Sequence, residues 1–374
     1  MDNKEKFELT DILIQLEQID YISIISMLSP IISYYTTSKV IDGYKLHKDF
    51  KPKNISRVSL PPELTQEYSS IDIENLASQR FGEAVVEFAK LVMTKFSSNN
   101  LLNFYNNLNQ LKVVPKKFGL QNLVFKTNTA GTYDAKKNQI QVDGDGYTET
   151  IYHELFHMAS STYKDGVRYS GFRQSSFKPG IANLGKALNE GYTQLLTERY
   201  FDYIEEVRGT YEFEVHIADK LEKIVGQEKM ENLYLNANLW GLINELKIYA
   251  SEEEIMKFIS ETDFLREHLD DKKLVPFEKG MITSSLKNVN EFLFRVYTVK
   301  LKRQLDNGTL DMDEFNENLA TYISSLGTSL KSGKHRYEFL TPEILQESLR
   351  TILDAPDLTV YIRETTNESI SKGR

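Results

Sequence analysis

The chain has 374 residues, of which 40% are hydrophobic, 11% aromatic and 26% charged. This composition is typical of a folded globular protein and excludes a disordered or fibrous chain. The 45 Lys and Arg against 54 Asp and Glu give a net charge of −9, which disfavours nucleic acids and anionic lipid surfaces as partners. Because the chain has no cysteine, disulfides and cysteine nucleophiles are excluded, and any metal must be bound by His, Asp or Glu.

The N-terminal region predicts a helical extension and a linker, which together form a first domain at 1–58. Apolar residues recur at helical spacing from Phe7 to Ile19, and Pro30 kinks or ends this segment. Mixed charges at the start, and serines within the apolar run 21–35, argue against a signal peptide and a membrane span. We therefore expect a cytoplasmic protein, with export by a signal-less route left open.

A second domain is predicted at 59–205. Two amphipathic helices are expected between 72 and 112. The only strand signals follow, at 123–126, 131–133 and 139–143, and the last two are expected to form a hairpin. A small sheet therefore lies between helical segments.

The helical period returns after residue 146 and continues through the rest of this second domain and through a third domain at 206–374. Helices are expected at 147–161, 183–204, 211–225, 228–248, 252–260, 288–305, 311–326 and 342–353. The fold class is therefore α+β and mainly α, with a large helical C-terminal subdomain that forms one wall of a cleft.

A His-Glu-x-x-His motif lies in the first of these helices. Residues four apart share one face of a helix, so His153 and His157 can both reach a single Zn²⁺. Between them, Glu154 lies near a metal-bound water, whose proton it can accept and pass to the leaving nitrogen of a peptide. Apolar neighbours bury this helix, where such polar residues are costly without a shared ligand. The motif predicts peptide hydrolysis with one Zn²⁺ per chain.

Two histidines and a water leave one zinc position for a third protein ligand. The metzincin continuation would need glycine and histidine where this chain has Ser160 and Tyr163. The best candidate is Glu190, which lies among apolar positions of a later predicted helix. The adjacent Gly191 permits that helix to pack closely against a neighbour.

The His-Glu-x-x-His motif and the later Asn189-Glu190-Gly191 together resemble the gluzincin branch of the zincin metallopeptidases. The resemblance covers about residues 120–204. It implies a zincin-like core with three zinc ligands, His153, His157 and Glu190, and one general base and acid, Glu154. It also implies that the strand at Gln139–Asp143 lies along the cleft and binds extended substrate by backbone pairing.

The sequence departs from this family in two places. More residues separate the motif from the glutamate ligand than in thermolysin-like or aminopeptidase-like members, so 163–186 is expected to be an inserted loop near the cleft. Thermolysin-like enzymes also place an Asp one turn after that glutamate to orient a histidine. This chain has Gln194 there, and Thr193 or Thr197 could take the role instead.

Zincin sites also use a Tyr or His to stabilise the oxyanion of the tetrahedral intermediate. Candidates are Tyr211, His216 and Tyr249, and the sequence does not choose among them.

The predicted function is that of a zinc metallopeptidase acting on a peptide or protein substrate, without a nucleic-acid partner or membrane insertion. Two alternatives stay open. One is a catalytically silent zincin-like regulator that binds a partner and keeps the zinc as a structural element; the other is a protease with a single protein target. Retention of Glu154 argues against the silent protein, because a structural site needs no general base. The sequence makes no prediction of oligomeric state.

Overall fold

The computed structural model describes residues 82–97, 100–108, 110–115, 131–142, 148–176, 183–201, 211–269, 276–327, 329–332 and 335–338, with 344, 345, 349 and 352. All of these belong to one compact unit, which comprises residues 55–178 and 183–374. The predicted N-terminal extension at 1–58 and the predicted strand at 123–126 lie outside the described residues. The three domain boundaries stay predictions.

The described part of the chain is mainly helical with small sheets, as the sequence predicts. The helices include α1 (Gly82–Lys95), α2 (Leu102–Leu108), α3 (Thr148–Ala159), α4 (Lys186–Tyr200), α5 (Glu212–Val225), α6 (Gln227–Leu235), α7 (Leu239–Leu246), α8 (Glu252–His268), α9 (Pro276–Asp306) and α10 (Met312–Leu326). The strands are β1 (Lys112–Pro115), β2 (Gly131–Asp134), β3 (Gln139–Val142), β4 (Ser161–Lys164), β5 (Val167–Ser170), β6 (Arg173–Ser176), β7 (Ser329–Ser332) and β8 (His335–Glu338).

Helix α3, which carries the His-Glu-x-x-His motif, is buried from residue 151 to its end at residue 159. It packs against α1, α2, α4 and the sheet that contains β2 and β3. Aromatic residues fix it there: the Phe156 ring meets the Phe88 ring edge-on with centroids 4.8 Å apart, and Tyr152 stacks on Phe201 at 3.9 Å. The motif is therefore enclosed by other elements, as its apolar flanks predict.

The first sheet has the strand order β1-β3-β2. The predicted hairpin of β2 and β3 is confirmed, and its turn contains Asn138 at a φ of 48°. Strand β1 was not predicted; it pairs in parallel with β3, so β3 has a neighbour on each side. A strand paired on both edges cannot accept a further strand. The expectation that Gln139–Asp143 binds substrate by backbone pairing is therefore wrong for the described Gln139–Val142.

The second sheet replaces the inserted loop that was expected at 163–186. Strands β4, β5 and β6 form an antiparallel meander in that order. Asp165 and Gly166, at φ 53° and 79°, form the two-residue turn between the first two strands. Gly166 and Gly171, which suggested a loop, thus lie in the turns between these strands. The prediction of an inserted loop is therefore wrong for 163–176. Residues 177–182 lie outside the described part.

The C-terminal helices differ from prediction mainly in length. The helix expected at 228–248 is two, α6 and α7, because Ala237 adopts a φ of 52° and Asn238 caps the second by accepting the Gly241 N–H. Helix α8 extends beyond the predicted 252–260, and α9 begins before residue 288. In the described part of the chain, none of the helices has the length and apolar character that a membrane crossing requires.

Candidate metal centre

The structure brings His153 and His157 of α3 and Glu190 of α4 to one point. The two Nε2 atoms lie 3.1 Å apart. Glu190 Oε2 lies 3.4 Å from His153 Nε2 and 3.5 Å from His157 Nε2. Ligands bound at about 2.0–2.1 Å in a tetrahedron are about 3.3 Å from one another, so these spacings fit three ligands of one ion.

The outer nitrogens of both imidazoles have partners. His153 Nδ1 donates to Gln194 Oε1 at 2.9 Å, so Gln194 occupies the place that an Asp has in thermolysin-like enzymes. Thr193 Oγ1 lies 3.4 Å from His157 Nδ1. Thr197 instead donates to the Thr193 carbonyl at 2.8 Å, so of the two threonines only Thr193 contacts a histidine of the site.

Asn189 is a further partner that the sequence analysis did not assign. Its Nδ2 lies 3.2 Å from His157 Nδ1, while its Oδ1 is buried without a hydrogen-bond partner. With the amide turned over, Oδ1 instead accepts the Nδ1–H of His157, which leaves the Nε2 of that ring free to bind a metal. Asn189 adjoins Glu190 in the sequence, and this position next to a predicted ligand could have indicated its role as a partner of His157.

These outer hydrogen bonds decide what faces the centre. Because each Nδ1 carries the proton, each Nε2 presents a lone pair, and Glu190 presents a carboxylate oxygen beside them. A cation placed among these three acceptors would satisfy all of them. His153, His157 and Glu190 can therefore hold a metal ion.

The electrostatics of His157 and Glu190 favour the protonation states that metal binding requires. For His153, burial lowers the pKa, but the neighbouring carboxylates of Glu190 and Glu154 outweigh it and raise the pKa. Burial lowers the pKa of His157 to about 4, which keeps its ring neutral. Burial alone would raise the pKa of Glu190, but His157 and His153 beside it hold that pKa well below its usual value. A neutral imidazole and an ionised carboxylate are the forms that bind metals.

Glu154 lies beside this centre and against strand β2. The N–H of Tyr133 donates to the Glu154 carboxylate, and Gly131 lies so close that a Cβ there would meet the side chains of Thr150 and Glu154. Burial raises the pKa of Glu154 to about 7, against the opposing effect of His153. A carboxylate with a pKa near neutrality is suited to exchange protons in general acid-base chemistry.

Of the three oxyanion candidates, Tyr211 lies at the centre. Its ring stacks on that of His153, with centroids 5.5 Å apart and planes inclined by 22°. Its hydroxyl accepts a hydrogen bond from Arg266, and burial raises its pKa to about 12. His216 and Tyr249 make no described contact with the three metal-binding side chains.

Known proteins offer no guide to this site. Comparisons of the chain with protein-family models, with curated proteins and with solved structures returned no match. The resemblance to gluzincins therefore stays a prediction.

Close packing of α4 on α5 positions Glu190. A Cβ at Gly191 would overlap the backbone carbonyl of Glu214. We expect Gly191→Ala to lower the free energy of unfolding by about 1–3 kcal/mol, because the helices must separate. Gly280 on α9 is the matched control, since the structure shows nothing within 4 Å of a Cβ there. Gly280→Ala should be neutral or stabilise by up to about 1 kcal/mol, and equal effects in urea unfolding would contradict this packing argument.

Helix α4 is capped from another helix. Asp263 of α8 accepts the N–H groups of Gly185 and Ala187, each at 2.8 Å. A carboxylate in this place satisfies two free donors and interacts favourably with the helix dipole. Burial nevertheless raises its pKa from 3.8 to about 6, so the charged form is costly.

This raised pKa predicts a pH dependence of stability. Between pH 3.8 and about 6, Asp263 binds more protons in the folded than in the unfolded state, so its contribution to stability decreases as pH rises. The unfolding free energy of the wild type relative to Asp263→Asn should therefore fall by about 1–3 kcal/mol across this window. Urea unfolding at several pH values measures it. The exposed Asp313→Asn should show no such change, and a constant difference for Asp263→Asn would contradict the assignment.

Proposed function

We propose that the protein is a zinc-dependent metallopeptidase. The observation that carries the proposal is the convergence of two imidazoles and a carboxylate beside the buried carboxylate of Glu154. A structural metal site has no use for an additional buried carboxylate whose pKa is near 7. The composition of the ligand set, two histidines and one glutamate with a further position open, is that of catalytic zinc sites.

Each residue has a role in this proposal. His153, His157 and Glu190 would hold the zinc, which when bound supplies Lewis acidity for water activation and carbonyl polarisation. Glu154 accepts a proton from the attacking water and delivers it to the leaving nitrogen. Because the Tyr211 hydroxyl accepts a hydrogen bond from Arg266, its own proton is directed elsewhere and can be donated to the developing oxyanion.

The substrate in this proposal is a peptide bound in extended form along β2. Strand β2 contacts Glu154 through its backbone, and it pairs with β3 along one edge. None of the described strands pairs with its other edge. Addition of a peptide strand there would supply main-chain hydrogen bonds next to the general base. This assigns to Gly131–Asp134 the role that the resemblance implied for Gln139–Asp143.

The test combines metal analysis with cleavage. The protein is purified without added metal, its metal content per chain is measured by mass spectrometry, and mixed peptides and folded proteins are then incubated with it. We expect one zinc per chain and cleavage that a chelator abolishes and added zinc restores. Zinc without any cleavage would favour the silent regulator. Cleavage of a single protein would indicate a dedicated protease, and absence of metal after zinc addition would refute the proposal.

A further inference from the structure

An arginine of the second sheet lies next to the general base. Arg168 is in β5, and its Cζ lies 5.7 Å from the centre of the Tyr133 ring in β2. Tyr133 is the residue whose backbone N–H donates to Glu154. The charges of Arg168 and Glu154 act on each other, and Glu190 also acts on Arg168. The guanidinium therefore lies over Tyr133, close enough to Glu154 and Glu190 for its charge to act on both carboxylates.

Among the described residues, this guanidinium contacts the Tyr133 ring but has no hydrogen-bond or ion-pair partner. Its Nε is buried without a hydrogen bond, and none of the described carboxylates forms an ion pair with it. Two other partly buried arginines near the site are paired: Arg266 with Glu214, and Arg199 with two glutamates. Burial and the nearby Arg173 both lower the pKa of Arg168, which shows that its charge is held at a cost.

Such a group is suited to bind an anion that arrives with the substrate. A guanidinium forms two parallel hydrogen bonds with a carboxylate, and the Tyr133 ring beneath it restricts its orientation. Glu154 must reach the leaving nitrogen, so the residue that follows the scissile bond lies beside Glu154 and hence beside Arg168. In an unmodified peptide, the anions available there are carboxylates.

We propose that Arg168 binds a carboxylate of the substrate residue on the leaving-group side of the scissile bond, and so determines specificity. This inference rests on the proposed peptidase function. The carboxylate has two possible sources: the free C-terminus of a terminal leaving residue, or an acidic side chain at an internal site. The first would make the enzyme a carboxypeptidase and the second an endopeptidase that cleaves before Asp or Glu.

The experiment compares peptides that differ only in this carboxylate. One pair has a free or an amidated C-terminus, and the other has Glu or Gln after the scissile bond. With the wild type, we expect kcat/KM to be about tenfold or more higher for the carboxylate member of one pair. The pair that discriminates identifies the source. Arg168→Gln should slow cleavage of the carboxylate peptide about tenfold or more relative to the neutral peptide and so remove this preference, and Arg168→Lys should restore part of it.

Arg173 is the matched control. It lies in β6 of the same sheet, and its charge acts on Asp263. Arg173→Gln should retain the preference. If Arg168→Gln slows acidic and neutral peptides equally, Arg168 is a structural or positioning residue and the inference is overturned. A wild type that cleaves both members of each pair equally would overturn it as well.

A binding measurement separates failure of this inference from failure of the proposed function. Zinc-loaded Glu154→Gln is titrated with the same peptide pairs, with and without Arg168→Gln, so no cleavage is needed. An affinity preference for the carboxylate member that disappears with Arg168→Gln supports the anion site even if the wild type cleaves nothing. No preference, or one that survives Arg168→Gln, overturns the inference even if the wild type is an active peptidase.

Discussion

Replacement of Glu154 by glutamine should abolish peptide hydrolysis and leave the metal in place. Glutamine matches the size of the side chain and its oxygen can still accept the Tyr133 N–H, but it cannot take a proton from water or return one to the leaving nitrogen. General acid-base catalysis contributes about 10²–10⁴-fold to the rate. We expect kcat to decrease by about 10⁴-fold, because both proton transfers use this residue.

Metal content and thermal unfolding accompany this kinetic measurement. Zinc per chain should equal that of the wild type, and stability should be unchanged or slightly higher, because a buried group no longer carries charge. A variant that kept more than about a tenth of the activity would contradict the role of Glu154 as base. A variant that lost its zinc would instead indicate that Glu154 is a ligand.

The second large effect is expected for Glu190→Gln, which should lose most of its zinc affinity. The amide oxygen of glutamine is neutral. The substitution therefore removes the negative charge that faces both imidazoles, and with it the carboxylate ligand that α4 contributes. Removal of an outer partner of a ligand costs about 10–100-fold in metal affinity, and loss of a ligand should cost more. Competition with a chromophoric chelator measures the affinity directly.

Stability provides an independent readout of the same substitution. Zinc bound between α3 and α4 joins two helices, so added zinc should raise the melting temperature of the wild type and have little effect on Glu190→Gln. Glu253→Gln, which removes an exposed charge from α8, should respond to zinc like the wild type. If Glu190→Gln bound zinc as tightly as the wild type, the third ligand would have to be another residue.

Several features of the fold were predicted because they depend on local pattern. Short segments of sequence are enough to predict the helices α3 and α4, the β2–β3 hairpin and the close helix packing at Gly191. The prediction was wrong where a segment without strong periodicity was taken as a loop. Strands β4 to β6 are four residues each and are stabilised by pairing with one another, which short-range pattern does not reveal.

The sequence by itself indicated which side chains could bind a metal ion. Two histidines four apart on a helix share a face whatever surrounds them, and apolar flanks bury that face. The tertiary structure alone decided the rest of the site. Tyr211 rather than His216 or Tyr249 lies on His153, and Arg168 lies over Tyr133, because helix packing and strand pairing bring together residues that are distant in sequence. Contacts between residues that are distant in sequence leave no periodic pattern, so the sequence alone could not predict them.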